Sequence, residues 1–284
     1  MNGRCQTPVK FGAVLMLLLG GLTCAFGQDK WEFQDDGCGT TRWYGSESGA
    51  FNLEIKEQTI LSPPESLSID TGQNGGVRVV GWERDEIRIR ACIQAFGLTA
   101  EEAHARTSAV RITSNDGGTI RAISSADEGY SFGASYDIRV PVKTNLTIKT
   151  HNGGINLSGI DGSIEFDLNN GGAIFNSISG NILGKTVNGN LNFYLSGTER
   201  EGKGIDVRTT NGNILISVPE NYSASIEAST RRGKVYVDPS VTDARANDSK
   251  INLNLGNGGA TIKASTVNGQ IVIKHRTTKE ASGK

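Results

Sequence analysis

The sequence predicts an all-β protein: a single-stranded parallel β-solenoid, or β-helix, with one short helix and an N-terminal cap region. Three observations lead there. Asn-Gly pairs recur at a constant interval of 18 residues, at Asn152-Gly153, Asn170-Gly171 and Asn188-Gly189. Each pair is followed three and five residues later by apolar side chains, the period-two signature of a strand with one buried face. A second glycine corner falls inside the interval, at Ser158-Gly159 and Ser179-Gly180, with Ile160 matching Ile178 and Ile164 matching Ile182 one repeat on. An Asn-Gly pair between alternating strands is also a hairpin signal. The constant interval and the second corner favour coils of three short strands, which enclose their own core where a hairpin meander would need a second sheet to cover it.

Residues 1–27 read as an export signal. Arg4 and Lys10 give a positive start, 11–26 is a short apolar run, and Ala25-Phe26-Gly27 fits a small-x-small cleavage site before Gln28. The run is shorter than a membrane span needs and no second one follows, so the expectation is not an integral membrane protein. Leu22-Thr23 lacks the small residue that precedes a lipidated cysteine, which argues against anchoring at Cys24. Cleavage removes two positive charges and no acid from a formal net charge of −1, leaving −3. With 29 Lys and Arg against 30 Asp and Glu there is no basic field for nucleic acid. Cleavage also leaves two of four cysteines, Cys38 and Cys92, in a compartment that permits oxidation. A disulfide between them would stabilise the chain by up to about 4 kcal/mol on the chain-entropy model; two unlinked thiols are the alternative.

Residues 28–66 form an N-terminal segment in which Trp31, Trp43 and Tyr44 are packing aromatics. Residues 67–147 hold cap strands, a short helix and the first rungs. There "GVRVVGWERDEIRIRACIQA" alternates with Ile87, Ile89, Ala91 and Ile93 on one face, and Thr99-x-x-Glu102 is a capping box opening the helix. A helix at the end of a solenoid covers strand edges that would otherwise aggregate.

Residues 148–275 are the regular repeats, and 276–284 a polar tail. Asn74-Gly75, Asn211-Gly212, Asn257-Gly258 and Asn268-Gly269 join the three pairs above, with Arg232-Gly233 a degenerate copy. Three and five residues after each stand Val77 and Val79, Ile155 and Leu157, Ala173 and Phe175, Leu191 and Phe193, Ile214 and Ile216, Ala260 and Ile262, Ile271 and Ile273. Because Asn and Gly tolerate positive φ, the pair can swing the chain sharply between strands. Repeated Asn at one corner also permits a ladder of stacked side-chain amides. Three before the Asn stand Lys149, Asp167, Lys185 and Arg208, a column in which opposite charges become neighbours. The glycine total, 37, is read as corners.

Groups for chemistry are few. His104, His151 and His275 are the only histidines and none stands at a metal-ligand spacing. There is no Gly-x-Ser-x-Gly, phosphate loop or paired CxxC, so no catalytic, cofactor-binding or metal-binding residue is assigned. The best carboxylate cluster for a rival reading, a polysaccharide-acting lyase or glycosidase, is Asp161, Glu165 and Asp167. A candidate binding face is better marked. Four after the Asn, where side chains point outward, Ile174, Leu215, Tyr236 and Val272 are apolar while Asn156 and Asn192 are not. The N-terminal segment folding over that face is the alternative.

The runs "GVRVVGWERDEIRIRA", "YDIRVPVKTNLTIKTHNGGINLSGIDGSIEF", "TVNGNLNF" and "TVNGQIVI" resemble a bacterial family of exported, head GIN-domain-like β-strand-repeat proteins known as candidate adhesins, over residues 66–275. The resemblance implies a β-solenoid in the periplasm or on the cell surface, with an unidentified envelope partner, protein or glycan, and no catalytic motif to carry over. The expected function is therefore a non-enzymatic adhesin-like or structural binding protein of the cell envelope.

Overall fold

A computed structural model describes residues 49–115, 118–125, 132–198, 204–241 and 247–277. The export signal, Trp31, Cys38, Trp43, Tyr44, residues 199–203 and the end of the tail lie outside them. The chain forms β1 (Ala50–Ile60), β2 (Ser66–Asp70), β3 (Val77–Trp82), β4 (Ile87–Gly97), α1 (Ala100–Ser108), β5 (Val110–Asn115), β6 (Thr119–Ser124) and β7 (Phe132–Pro141). The regular repeats then supply β8 (Asn145–Asn152), β9 (Ile155–Ser158), β10 (Ile164–Asn170), β11 (Ala173–Asn176), β12 (Ile182–Asn188), β13 (Leu191–Tyr194), β14 (Gly204–Asn211) and β15 (Ile214–Val218). Last come β16 (Ala224–Arg232), β17 (Val235–Val237), β18 (Asn247–Asp248), β19 (Lys250–Leu255), β20 (Thr261–Asn268) and β21 (Ile271–His275).

These strands make two mixed sheets. The first runs β1-β4-β7-β3-β9-β11-β13-β15-β21-β17-β18 and the second β19-β16-β20-β14-β12-β10-β8-β2-β6-β5. Each Asn-Gly corner except Asn257-Gly258 joins a strand of the second sheet to a strand of the first, so β8/β9, β10/β11, β12/β13 and β14/β15 are successive turns paired in parallel. The sequence register holds through them: Ile164 faces Ile182, and Leu157, Phe175 and Phe193 stand side by side. Val79, Leu157, Phe193 and Ile216 are wholly buried, as the period-two pattern requires.

Four features depart from a single-stranded parallel solenoid. Both ends are antiparallel: β4 pairs β7 and β1 pairs β4 at one end of the first sheet, β5 pairs β6 in the second, and β18 and β19 close the far end. An antiparallel strand terminates a parallel stack without the long crossover that another parallel strand needs. Each turn has two strands instead of three, and the third side is reduced to a bridge between Asp161 and Ser179. Spatial order also departs from chain order, because β20 and β21 lie between the β14/β15 turn and the β16/β17 turn. At the near end β6/β7 stacks outside β2/β3, which stacks on β8/β9. Finally, the N-terminal segment contains an 11-residue strand, β1. Its half-buried polar side chains cover the end: Asn52 donates to Thr107 Oγ1 (2.6 Å) and Gln58 to Ser114 Oγ (2.7 Å).

Helix α1 is built as its sequence dictates. Thr99 Oγ1 accepts from Glu102 N–H at 3.2 Å, and the Glu102 carboxylate accepts from Leu98 N–H and pairs with Arg106 one turn on. It packs on β1 and β4 so closely that a Cβ on Gly97 would lie 2.5 Å from Ala103 N. Between the sheets lies one apolar core. Phe166 lies 5.3 Å from Phe175, which stacks on Phe193 at 4.6 Å. Gly184, in mid-strand and not at a corner, leaves room for this ring, since a Cβ there would meet Phe166 at 2.3 Å.

The asparagine column and the candidate binding face

The Asn-Gly corners align into a column. Asn152 Nδ2 donates to Asn74 Oδ1, Asn170 to Asn152, Asn188 to Asn170, Asn211 to Asn188 and Asn268 to Asn211, at 2.7–2.9 Å. Arg232, a donor only, ends the column on Asn268 Oδ1 at 3.4 Å, which explains why the last turn dispenses with an amide. The backbone runs the other way: Gly75, Gly153, Gly171, Gly189, Gly212 and Gly269 each donate N–H to the carbonyl at the column position of the next turn, at 2.9–3.1 Å. The glycines are required for a reason other than the one expected. None of Gly153, Gly171, Gly189, Gly212 and Gly269 has positive φ. Instead a Cβ at any of them would sit 1.9–2.1 Å from the glycine carbonyl oxygen of the neighbouring turn. Left-handed glycines do occur at the second corner, Gly159 at φ 65° and Gly180 at φ 72°.

Behind the column, Thr186, Thr209 and Thr266 are buried and donate Oγ1–H to Gly171, Gly189 and Gly212 of the preceding turn, at 2.8–2.9 Å. Beside it, Asn213 N–H donates to Asn190 Oδ1 and Gln270 N–H to Asn213 Oδ1, both at 2.8 Å. This shorter ladder was missed from the sequence; its signal is the Asn-Gly-Asn/Gln triplet. Asn257-Gly258 is not a member of the column: it lies in the turn between antiparallel β19 and β20, and Ile262 belongs to β20.

On the outer face of the second sheet the charge column forms in register, Lys149 beside Asp167 beside Lys185 beside Arg208, with Asp167 ion-paired to Lys185 at 3.1 Å. An open depression of about 300 Å³ there is lined by Asp70, Lys149, His151, Asp167 and Asn169. His151 Nδ1 lies 3.1 Å from Asn169 Nδ2. The proposed carboxylates do not share a cleft: Asp161 is at the bridged corner, while Glu165 and Asp167 lie exposed along β10. Among the described residues no three His, Cys, Asp or Glu side chains cluster to hold a metal.

The first sheet carries the predicted apolar positions, and their spatial order differs from their chain order. Its outer row reads Arg90, Asp137, Arg78, Asn156, Ile174, Asn192, Leu215, Val272, Tyr236 across neighbouring strands. Leu215, Val272 and Tyr236 are therefore adjacent, and Ile174 stands one strand beyond Asn192. Ile174 and Tyr236 are 36% and 46% exposed; Leu215 and Val272 are half-buried. The polar half of this row holds a group unforeseen from sequence: Asp137 is buried, receives Arg78 Nη1 at 3.3 Å, and leaves Oδ1 without a hydrogen-bond partner. Desolvation pushes its carboxyl above the ordinary aspartate value, against the opposing pull of Arg78, Arg139 and Arg90. At the end of β3, Arg84 and Arg88 lie over Trp82 at 5.2 and 5.3 Å. Cys92, on β4, is buried and disulfide-bonded.

The family model that matches this chain is Toastrack DUF4097, over residues 65–274. The chain belongs to this family. Among solved structures, the Toastrack chain is similar to a candidate cell adhesion protein from Clostridium sporogenes ATCC 15579, at 12% identity over 78% of this chain and 100% of that one, with a TM-score of 0.44. It is also similar to a candidate adhesin from Bacteroides fragilis NCTC 9343, at 13% identity over 79% and 97%, TM-score 0.39. A third is a candidate lipid binding protein from Parabacteroides distasonis ATCC 8503, at 12% identity over 80% and 97%, TM-score 0.26. No curated protein matches the chain. No described helix is long and apolar enough to cross a membrane.

Proposed function

We propose that this Toastrack protein is exported and serves, without catalysing a reaction, as an adhesin-like or structural binding element of the bacterial cell envelope, its strands stacked as a solenoid-like scaffold. The observation that supports this most is the outer row of the first sheet. Three apolar side chains from β15, β21 and β17 fall side by side on a face whose equivalent positions in the other turns include Arg78, Asn156 and Asn192. Scattered apolar residues on a surface carry little meaning, whereas neighbours in register on a rigid sheet make a contact patch. The partner is an envelope protein or glycan, with Tyr236 as the aromatic anchor and Ile174 extending the contact.

The test is direct binding of residues 28–284 to isolated envelope fractions and to a panel of surface glycans, beside the variant L215S/V272S/Y236S. Saturable binding lost in that variant, with the circular dichroism spectrum unchanged, supports the reading. Binding that survives the triple change moves the contact elsewhere. Loss of a glycan-cleaving activity on replacing Asp161, Glu165 and Asp167 would instead favour the rival enzyme.

A further inference from the structure

Asn-Gly is the dipeptide most prone to spontaneous deamidation. The glycine nitrogen, losing its proton to water, attacks the asparagine Cγ and expels ammonia to leave a succinimide; water then opens the ring to Asp or isoAsp. The reaction needs a free glycine nitrogen and a side-chain amide able to turn toward it. Six Asn-Gly pairs of this chain are held in the column. In each, the glycine N–H is bonded to the next turn at 2.9–3.1 Å. The side-chain amide of each is also bonded, to its neighbours in the column, at 2.7–2.9 Å between amides. The glycine nitrogen cannot be freed without separating two turns, and the amide cannot turn toward it without breaking its bonds in the column.

The seventh described pair is different. Asn257 is exposed, and its side chain takes part in no hydrogen bond among the described residues, although its backbone N–H donates to Ser223 Oγ at 3.3 Å. Gly258 N–H donates at 2.9 Å to Leu255 O, three residues back in the same turn, and Gly258 has φ +76°. Although Gly258 is itself buried, that bond lies within a single turn, so opening it requires no coil to be displaced.

We propose that Asn257 is the site at which this protein undergoes deamidation, and that the column shields Asn74, Asn152, Asn170, Asn188, Asn211 and Asn268 from the same reaction. The column then has a chemical role beside its structural one, since a carboxylate created within it would replace an amide donor by a second acceptor. Conversion at Asn257 adds one negative charge at a surface turn and leaves the stack whole.

The experiment ages folded protein spanning residues 28–284 at mildly alkaline pH and measures Asp and isoAsp at all seven positions by peptide mapping. A parallel sample is held unfolded in urea. In the folded protein Asn257 should convert at least about tenfold faster than any column residue, because reaction through rare opening scales with the open population. In urea the difference should vanish. Column residues converting as fast as Asn257 in the folded sample would overturn the proposal. So would an Asn257 that stays intact when folded while urea exposes all seven.

Discussion

Gly171 shows how narrowly single residues are specified here. Its Cβ would lie 2.1 Å from Gly153 O and 2.5 Å from Gly153 C, both backbone atoms that cannot yield alone. Gly171→Ala should therefore destabilise the fold by about 3 kcal/mol or more, read as a lowered urea midpoint. At Gly118, where the nearest atom to a Cβ is 3.9 Å away, the same change should be nearly silent. Asn188 tests the amides. Asn188→Ala removes two exposed side-chain bonds and should cost about 1–2 kcal/mol. Asn188→Asp sets a carboxylate against Asn170 Oδ1, which raises its folded pKa. The lost stability should return as pH falls through that value, seen in unfolding midpoints between neutral and acid pH. The sequence made the column residues legible through their interval, yet for the glycines it pointed to the wrong cause. Positive φ is a property of one residue, whereas the contact that excludes a side chain belongs to a neighbouring turn the sequence does not reveal.

Strand elements were legible wherever one face alternates, and their pairing was legible only where the interval is constant. From β8 to β13 a fixed repeat determines register, so Ile164 beside Ile182 follows from counting. Beyond Asn188 the intervals change, and nothing local tells β20 that it pairs with β14 on one side and β16 on the other. The antiparallel strands β1, β4 and β19 were equally opaque, because period two is the same in either direction. The inserted order has a consequence. Deleting residues 260–284 removes an internal turn, so β16 and β17 lose their parallel partners along with the end. Proteolysis should then cut rapidly through residues 219–241 and 247–259, where loss of a terminal repeat alone would leave them protected.

For the whole molecule, the two sheets depend on groups at the margins of the parallel stack. Asp137 is one. Its folded pKa is raised mainly by burial, so its contribution to stability is fully present below the unfolded value and declines as pH rises through the folded one. Relative to Asp137→Asn, the wild type should lose ground as pH rises above about 4, measured by urea unfolding. Cys92 is another: its proposed partner is Cys38, and reduction should lower the melting temperature, with up to about 4 kcal/mol at stake. Function was the least legible level, since Leu215, Val272 and Tyr236, scattered through the sequence, become a patch only when their turns stack on one sheet, and their order in it departs from chain order. That stacking is tested most directly by cross-linking paired cysteines with a short reagent at neighbouring positions of the second sheet. The fold places Asp206 beside Lys263 and Lys263 beside Glu227, with Asp206 and Glu227 two strands apart, about 9–10 Å. D206C/K263C and K263C/E227C should cross-link efficiently in the folded protein and D206C/E227C should not. Efficient linkage of D206C/E227C, with D206C/K263C silent, would mean that the turns follow chain order and would contradict the account.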